Sequence, residues 1–116
     1  MTLYEQLGGE AAVNALMEDL YIRALADPLL SPFLVDIDVA ALKSKQVAFI
    51  CQAIGGPQEY VGSLAEAHSC LQIEQRHFDA FAKHMEAALQ NLGATDAVIS
   101  DLMRMVHVVR PVIVNS

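Results

Sequence analysis

Apolar residues recur along this chain with the 3.6-residue period of helices, and turn-forming residues close each run. Thr2 followed by Glu5 has the spacing of a capping box, which predicts a short first helix that stops at Gly8 and Gly9. From Ala11 the apolar positions are Val13, Leu16, Met17, Leu20, Tyr21, Ala24 and Leu25, while Glu18, Asp19 and Arg23 fall on the other side. That pattern predicts one amphipathic helix, ended by Asp27 and Pro28. The stretch LLSPFLVDID is broken by Pro32 and predicts a turn or one short helical piece. Asp38 is placed to cap the next helix, whose inner face is expected to be Leu42, Gln46, Phe49, Ile50 and Ala53, and Gly55-Gly56-Pro57 stops it.

A loop through Tyr60 and Gly62 follows. Ser63 with Glu66 forms a second capping box and predicts a short helix carrying Leu64, Ala67, His68 and Leu71 on one side. A longer helix shows Phe78, Phe81, Ala82, Met85, Ala88, Leu89 and Leu92 and ends at Gly93. Thr95 caps the last, with Val98, Ile99, Leu102, Met105, Val106 and Val109 inward. No strand alternation and no internal repeat interrupts this series. The predicted fold class is all-α.

Composition narrows the class further. The chain has 116 residues without an internal Pro/Gly/Ser-rich linker, which predicts a single domain over 1–116. Hydrophobic residues make up 54% of it, ample for one core. Mean hydropathy is high at +0.36, yet no window offers the ~18 to 20 uncharged apolar residues of a membrane span. The nearest run, Val98 to Val114, is interrupted by Asp101, Arg104, His107, Arg110 and Pro111. The net charge is −7, and the seven Lys and Arg residues form no basic stripe, which argues against nucleic acid as a partner. The opening MTLYEQLGGE lacks the basic start and apolar core of a signal peptide. Cys51 and Cys70 sit inside helical patterns, so a reducing cytoplasm is the expected compartment.

The informative positions are polar side chains inside apolar faces, because a buried polar group is costly unless something satisfies it. His68 interrupts the face of a short helix. It fits a core histidine bonded to a carbonyl, or an imidazole ligand for iron whose other nitrogen is held by an acceptor. Gln46 lies within the Leu42–Phe49 stripe with two donors and an acceptor. Tyr21 stands beside Met17 and Leu25 with one hydroxyl to satisfy. Together Tyr21 and Gln46 are suited to hydrogen-bond a polar ligand such as dioxygen, although periodicity leaves open whether they meet. Other chemistry is poorly supported. Glu10, Glu18 and Asp19 read as a solvated face; His77, His84 and His107 share no metal-ligand spacing; and HExxH, P-loop and GxGxxG patterns are absent.

The blocks LYEQLGGEAAV, DLYIRALADPLLSPF, LKSKQVAF, AIGGPQEYVG and AEAHSCL, in this order, resemble those of the group I truncated haemoglobins over essentially the whole chain. The resemblance implies a two-over-two helical sandwich around a haem, with the helices near Ala11 and Asp38 packed against the last two. It makes His68 the proximal histidine on iron, Tyr21 the distal tyrosine and Gln46 the distal glutamine. Leu42, one turn before Gln46, would keep water out. Phe49 would line the haem pocket, Lys45 would face outward or a haem propionate, and Tyr60 would approach the haem edge. The family commonly has an aromatic residue where this chain has Leu34 against the haem, so either Phe33 supplies that packing or the haem is packed more weakly. Ile50 replaces a larger aromatic that often gates a ligand tunnel, and the glycine often found after the proximal histidine is missing from HSCLQIE. Some relatives attach haem through a histidine on the last helix. Val109, not His107, aligns with it, so haem b is expected to bind non-covalently.

The implied function is reversible binding of dioxygen, nitric oxide or carbon monoxide. Bound dioxygen carries partial negative charge, and each donor contributes about 0.5 to 1.5 kcal/mol. Two aligned donors therefore slow release more than tenfold, at ~1.4 kcal/mol per decade. Slow release suits storage, sensing, or nitric oxide dioxygenation. The last would need a separate reductase, since the sequence shows no flavin or nicotinamide domain. A six-coordinate redox protein with Lys45 on iron, and a haem-free helical interaction module, are the competing readings.

Overall fold

The computed structural model describes residues 2–35, 37–56 and 73–114, the Val112 side chain excepted, and every regular element in them is helical. The elements are α1 (Leu3–Leu7), α2 (Gly9–Ala26), a 3₁₀ turn (Ser31–Phe33), α3 (Val39–Ala53), α4 (Gln75–Leu92), α5 (Asp96–Val108) and α6 (Arg110–Ile113).

Three helices begin where the sequence offers a side-chain oxygen for the unpaired N–H groups of the first turn. The Thr2 hydroxyl accepts from Glu5 N–H at 3.2 Å, and Glu5 Oε1 accepts from Thr2 N–H at 3.4 Å. Asp38 Oδ1 accepts from Ala41 N–H at 3.1 Å, and Thr95 Oγ1 from Val98 N–H at 3.3 Å. Gly8 joins α1 to α2 at φ +123°, and a Cβ there would lie 3.0 Å from that of Ala12. The predicted stop at Gly93 is a left-handed cap, φ +88°.

Helix α2 is the spine. It packs against both α3 and α4, α4 packs against α5, and α1 closes over α2 and α5. The expected two-over-two arrangement of helix pairs follows. Polar contacts fix the α2–α4 pair near both ends: Asn91 Nδ2 donates to Asp19 at 3.1 Å, and His84 Nε2 lies 2.8 Å from Asp27 Oδ2. The pairing 19 with 91 and 27 with 84 makes the two helices antiparallel. The core runs along this pair, and in it Leu16, Leu20 and Leu89 are no more than 1% exposed. Burying each such side chain contributes about 1.5 to 3 kcal/mol.

Two expectations need correction. Leu25 is 47% exposed, because it lies about 100° around α2 from buried Ala24 and has rotated off the packed face. On α3 the residues buried in the core are Val47 and Cys51; Leu42 and Ile50 pack against it while only partly buried, and Gln46 and Phe49 are also partly buried. The last helix also breaks at Val109. Pro111 cannot donate to a carbonyl four residues back, so the chain restarts as α6 with proline in its first turn. No helix among the described residues is long and apolar enough to cross a membrane.

Candidate functional site

The partly buried face of α3 has a second role. Leu42, Gln46, Phe49 and Ile50 form one wall of a cavity of about 800 Å³. Tyr21 and Ala24 of α2, Phe33 and Leu34 after the first helix pair, and residues of α4, α5 and α6 complete it. The volume lies in the upper part of the range for small-molecule sites, about 300 to 1,000 Å³. A second cleft, of about 430 Å³, opens between α2 and α3. The 2.6 Å ion pair of Lys43 with Glu18 joins two of its charged walls, so its strongest charges already have partners.

Few polar side chains interrupt the apolar lining, and two of them share a property. Tyr21 is 5% exposed, and its hydroxyl has no hydrogen-bond partner among the described residues. Burial pushes its phenol up to about 12, so it stays a donor through the neutral range. Gln46 borders the same space and is likewise without a hydrogen-bond partner among the described residues. A buried hydroxyl left unbonded costs about 1 to 3 kcal/mol. Tyr21 therefore marks a place where a polar guest is favoured, and the structure brings it to the same cavity as Gln46.

Phe33 and Leu34 both border the cavity, and Leu34 also packs on the core cluster. Lys45 stands at the rim, exposed and without an ion pair among the described residues. Val109 lines the cavity, whereas His107 is exposed, 3.0 Å from the Arg110 guanidinium. His68, Tyr60, Cys70 and the Ser63–Glu66 box lie outside the described residues.

Sequence reasoning overlooked His77. Apart from Tyr21 it is the one buried hydrogen-bonding side chain of the cavity wall among the described residues, 8% exposed. Its Nδ1 accepts from Glu74 N–H at 2.9 Å, capping α4, and its ring stands edge-on to Phe33 with centroids 4.8 Å apart. The available signal was Glu74 three residues before His77 at the head of an apolar run, a capping spacing with histidine in the third position.

The profile described as bacterial-like globin matches residues 2–115. A group 1 truncated haemoglobin from Tetrahymena pyriformis is 36% identical over 107 residues, spanning 91% of this chain and 88% of that protein. The crystal structure of truncated haemoglobin from Tetrahymena pyriformis in its Fe(III) form superposes with TM-score 0.94 at 33% identity, with full coverage of both chains. A 2/2 haemoglobin from Synechococcus sp., solved with covalently attached haem, superposes at 0.93 with 32% identity, again over all of both chains. Over its whole helical length, then, the chain belongs to the bacterial-like globin family, among the group 1 truncated haemoglobins.

Proposed function

We propose that this globin binds haem b non-covalently in the cavity between its helix pairs, with His68 as the axial iron ligand, and that Tyr21 and Gln46 hydrogen-bond dioxygen or another diatomic gas. The observation that carries the reading is the Tyr21 hydroxyl, 95% buried, without a hydrogen-bond partner among the described residues and bordering a mostly apolar cavity beside Gln46. The fit to haem is good on three counts. The cavity, at about 800 Å³, is large; its walls supply Phe33, Leu34, Leu42 and Phe49 for a flat apolar ring; and Lys45 at the rim supplies a cation for a carboxylate.

Haem supplies an iron atom at which a diatomic gas binds. The chain supplies the rest. Leu42 and Ile50 exclude water, which strengthens every hydrogen bond inside. Tyr21 donates from a helix fixed in the core, and Gln46 offers a second donor from α3. Both favour the ligand with more negative charge, so they stabilise bound dioxygen more than bound carbon monoxide. The buried free thiol of Cys51 accords with a reducing compartment, for which we name the cytoplasm.

The test is an absorption spectrum of the purified protein with haem in ferric, ferrous and oxygenated states. A Soret band of histidine-ligated type and a stable oxygenated form are expected. His68→Ala should lose haem or retain it only with added imidazole. An unchanged spectrum in that variant overturns the ligand assignment, and failure of the parent protein to hold haem overturns the whole reading.

A further inference from the structure

His77 remains unexplained by gas binding. Its ring is more than nine-tenths buried, in a mostly apolar wall, on the element that starts at Gln75. One nitrogen is accounted for: Nδ1 accepts the Glu74 backbone N–H at 2.9 Å. An imidazole nitrogen that accepts a hydrogen bond carries no proton, so the neutral ring must carry its proton on Nε2. That N–H has no partner among the described residues. The protein thus fixes the tautomer through a helix cap and leaves the resulting donor unsatisfied beside the cavity.

The surroundings select the kind of acceptor. His77 is the third residue of an 18-residue helix, and the first turn of a helix carries partial positive charge. The Phe33 ring, edge-on at 4.8 Å, holds the imidazole plane. An oriented N–H donor at a positive helix end suits a full negative charge better than a weakly polar gas. Lys45, at the rim, is the one Lys or Arg among the described lining residues, while a haem carries two carboxylates. We propose that His77 Nε2–H is the second carboxylate anchor of the cavity, a positioning residue that sets which way round the tetrapyrrole sits. This rests on the haem reading above.

Two substitutions separate the anchor from the cap. Asparagine can place its oxygen near the position of Nδ1, keeping the acceptor for Glu74 while removing the cavity donor. Glutamine can place its amide N–H near Nε2, keeping the donor. The experiment measures haem release from the holoprotein to excess apomyoglobin, for protein loaded with haem or with its dimethyl ester. The expected result is that His77→Asn releases haem about tenfold faster, the loss of one charge-assisted bond at ~1.4 kcal/mol per decade. His77→Gln should stay close to the parent, and parent and His77→Asn should release the ester at similar rates.

If His77→Asn matches the parent, or speeds release of haem and ester alike, His77 is only a cap and wall, and the proposal falls. If the parent takes up neither compound, the haem reading falls with it, a result the two release rates cannot imitate. Should His77→Asn fail to fold, ¹⁵N spectra of the parent decide the matter. The Nε2 resonance of His77 must be protonated and must shift between the haem and ester complexes; an unshifted resonance overturns the proposal.

Discussion

His84 Nε2 lies 2.8 Å from Asp27 Oδ2, across the interface between α4 and the end of α2. Asp27 also accepts from Leu29 N–H at 2.9 Å, so one carboxylate both ties two helices and turns the chain towards the cavity wall at Phe33. These bonds, the one from His84 foremost, hold the Asp27 carboxyl below the ordinary carboxylate range. A depressed folded value means that Asp27 stabilises the fold above the unfolded pKa of about 3.9, and that this contribution is lost as pH falls through the folded value. Asp27→Asn should therefore melt earlier than the parent at neutral pH, and the gap should close in acid. Melting curves from neutral to about pH 2 test this. A constant gap would mean that the carboxylate's charge is irrelevant.

Tyr21→Phe has opposite effects on the empty and the filled protein. Without a guest the hydroxyl is buried and has no hydrogen-bond partner among the described residues, so its removal should leave stability unchanged or raise it by up to about 1 to 3 kcal/mol. With dioxygen bound, the same change should speed release by about tenfold, as expected for one lost donor at ~1.4 kcal/mol. Urea titration and stopped-flow release measure the two. A large loss of stability would show that the hydroxyl has a partner in the folded protein.

The same burial is visible optically. Of the three tyrosines, Tyr21 is pushed up to about 12 by desolvation. An alkaline absorbance titration of the protein should show a late phenol step, and Tyr21→Phe should remove it. Should the late step survive in that variant, it belongs to another tyrosine.

Gly55 has φ +98°, and a Cβ on it would stand 3.0 Å from both Cβ and Cγ2 of Thr2. Gly55→Ala should cost about 1 to 3 kcal/mol in backbone strain alone, with the contact adding to it. Pairing it with Thr2→Gly would relieve only the contact. Additive losses in urea melts would show that the two residues do not press on each other.

Leu20 is fully buried on α2. Leu20→Ala should cost about 2 to 5 kcal/mol, read as a shift of the urea midpoint. A smaller loss would show that the core collapses around the gap.

Local chemistry made much of this legible. The caps at Thr2, Asp38 and Thr95 and the stop at Gly93 depend on groups within four residues, and each is where the sequence places it. Tyr21 and Gln46 stood out because each interrupts an apolar stripe. What the sequence could not show was which stripe faces protein and which faces a cavity. Leu42, Gln46 and Phe49 have the period of a core face, and only the fold shows that Val47 and Cys51 are buried in the core while that stripe, with Leu42 still packed against the core, lines a cavity. His77 escaped notice for a related reason. Its meaning depends on Phe33, more than forty positions away in sequence, and on a cap that spacing alone did not distinguish from a solvated turn.

The two polar groups offered to a bound gas are rooted differently. Tyr21 belongs to the helix that the whole molecule is built around, one residue from fully buried Leu20, whereas Gln46 sits on a helix face that only borders open space. Replacing the Tyr21 ring is thus also a change in folding, while Gln46 can be exchanged at little structural risk. Anyone redesigning the ligand preference of this scaffold, like natural drift acting on it, has one adjustable dial and one fixed point.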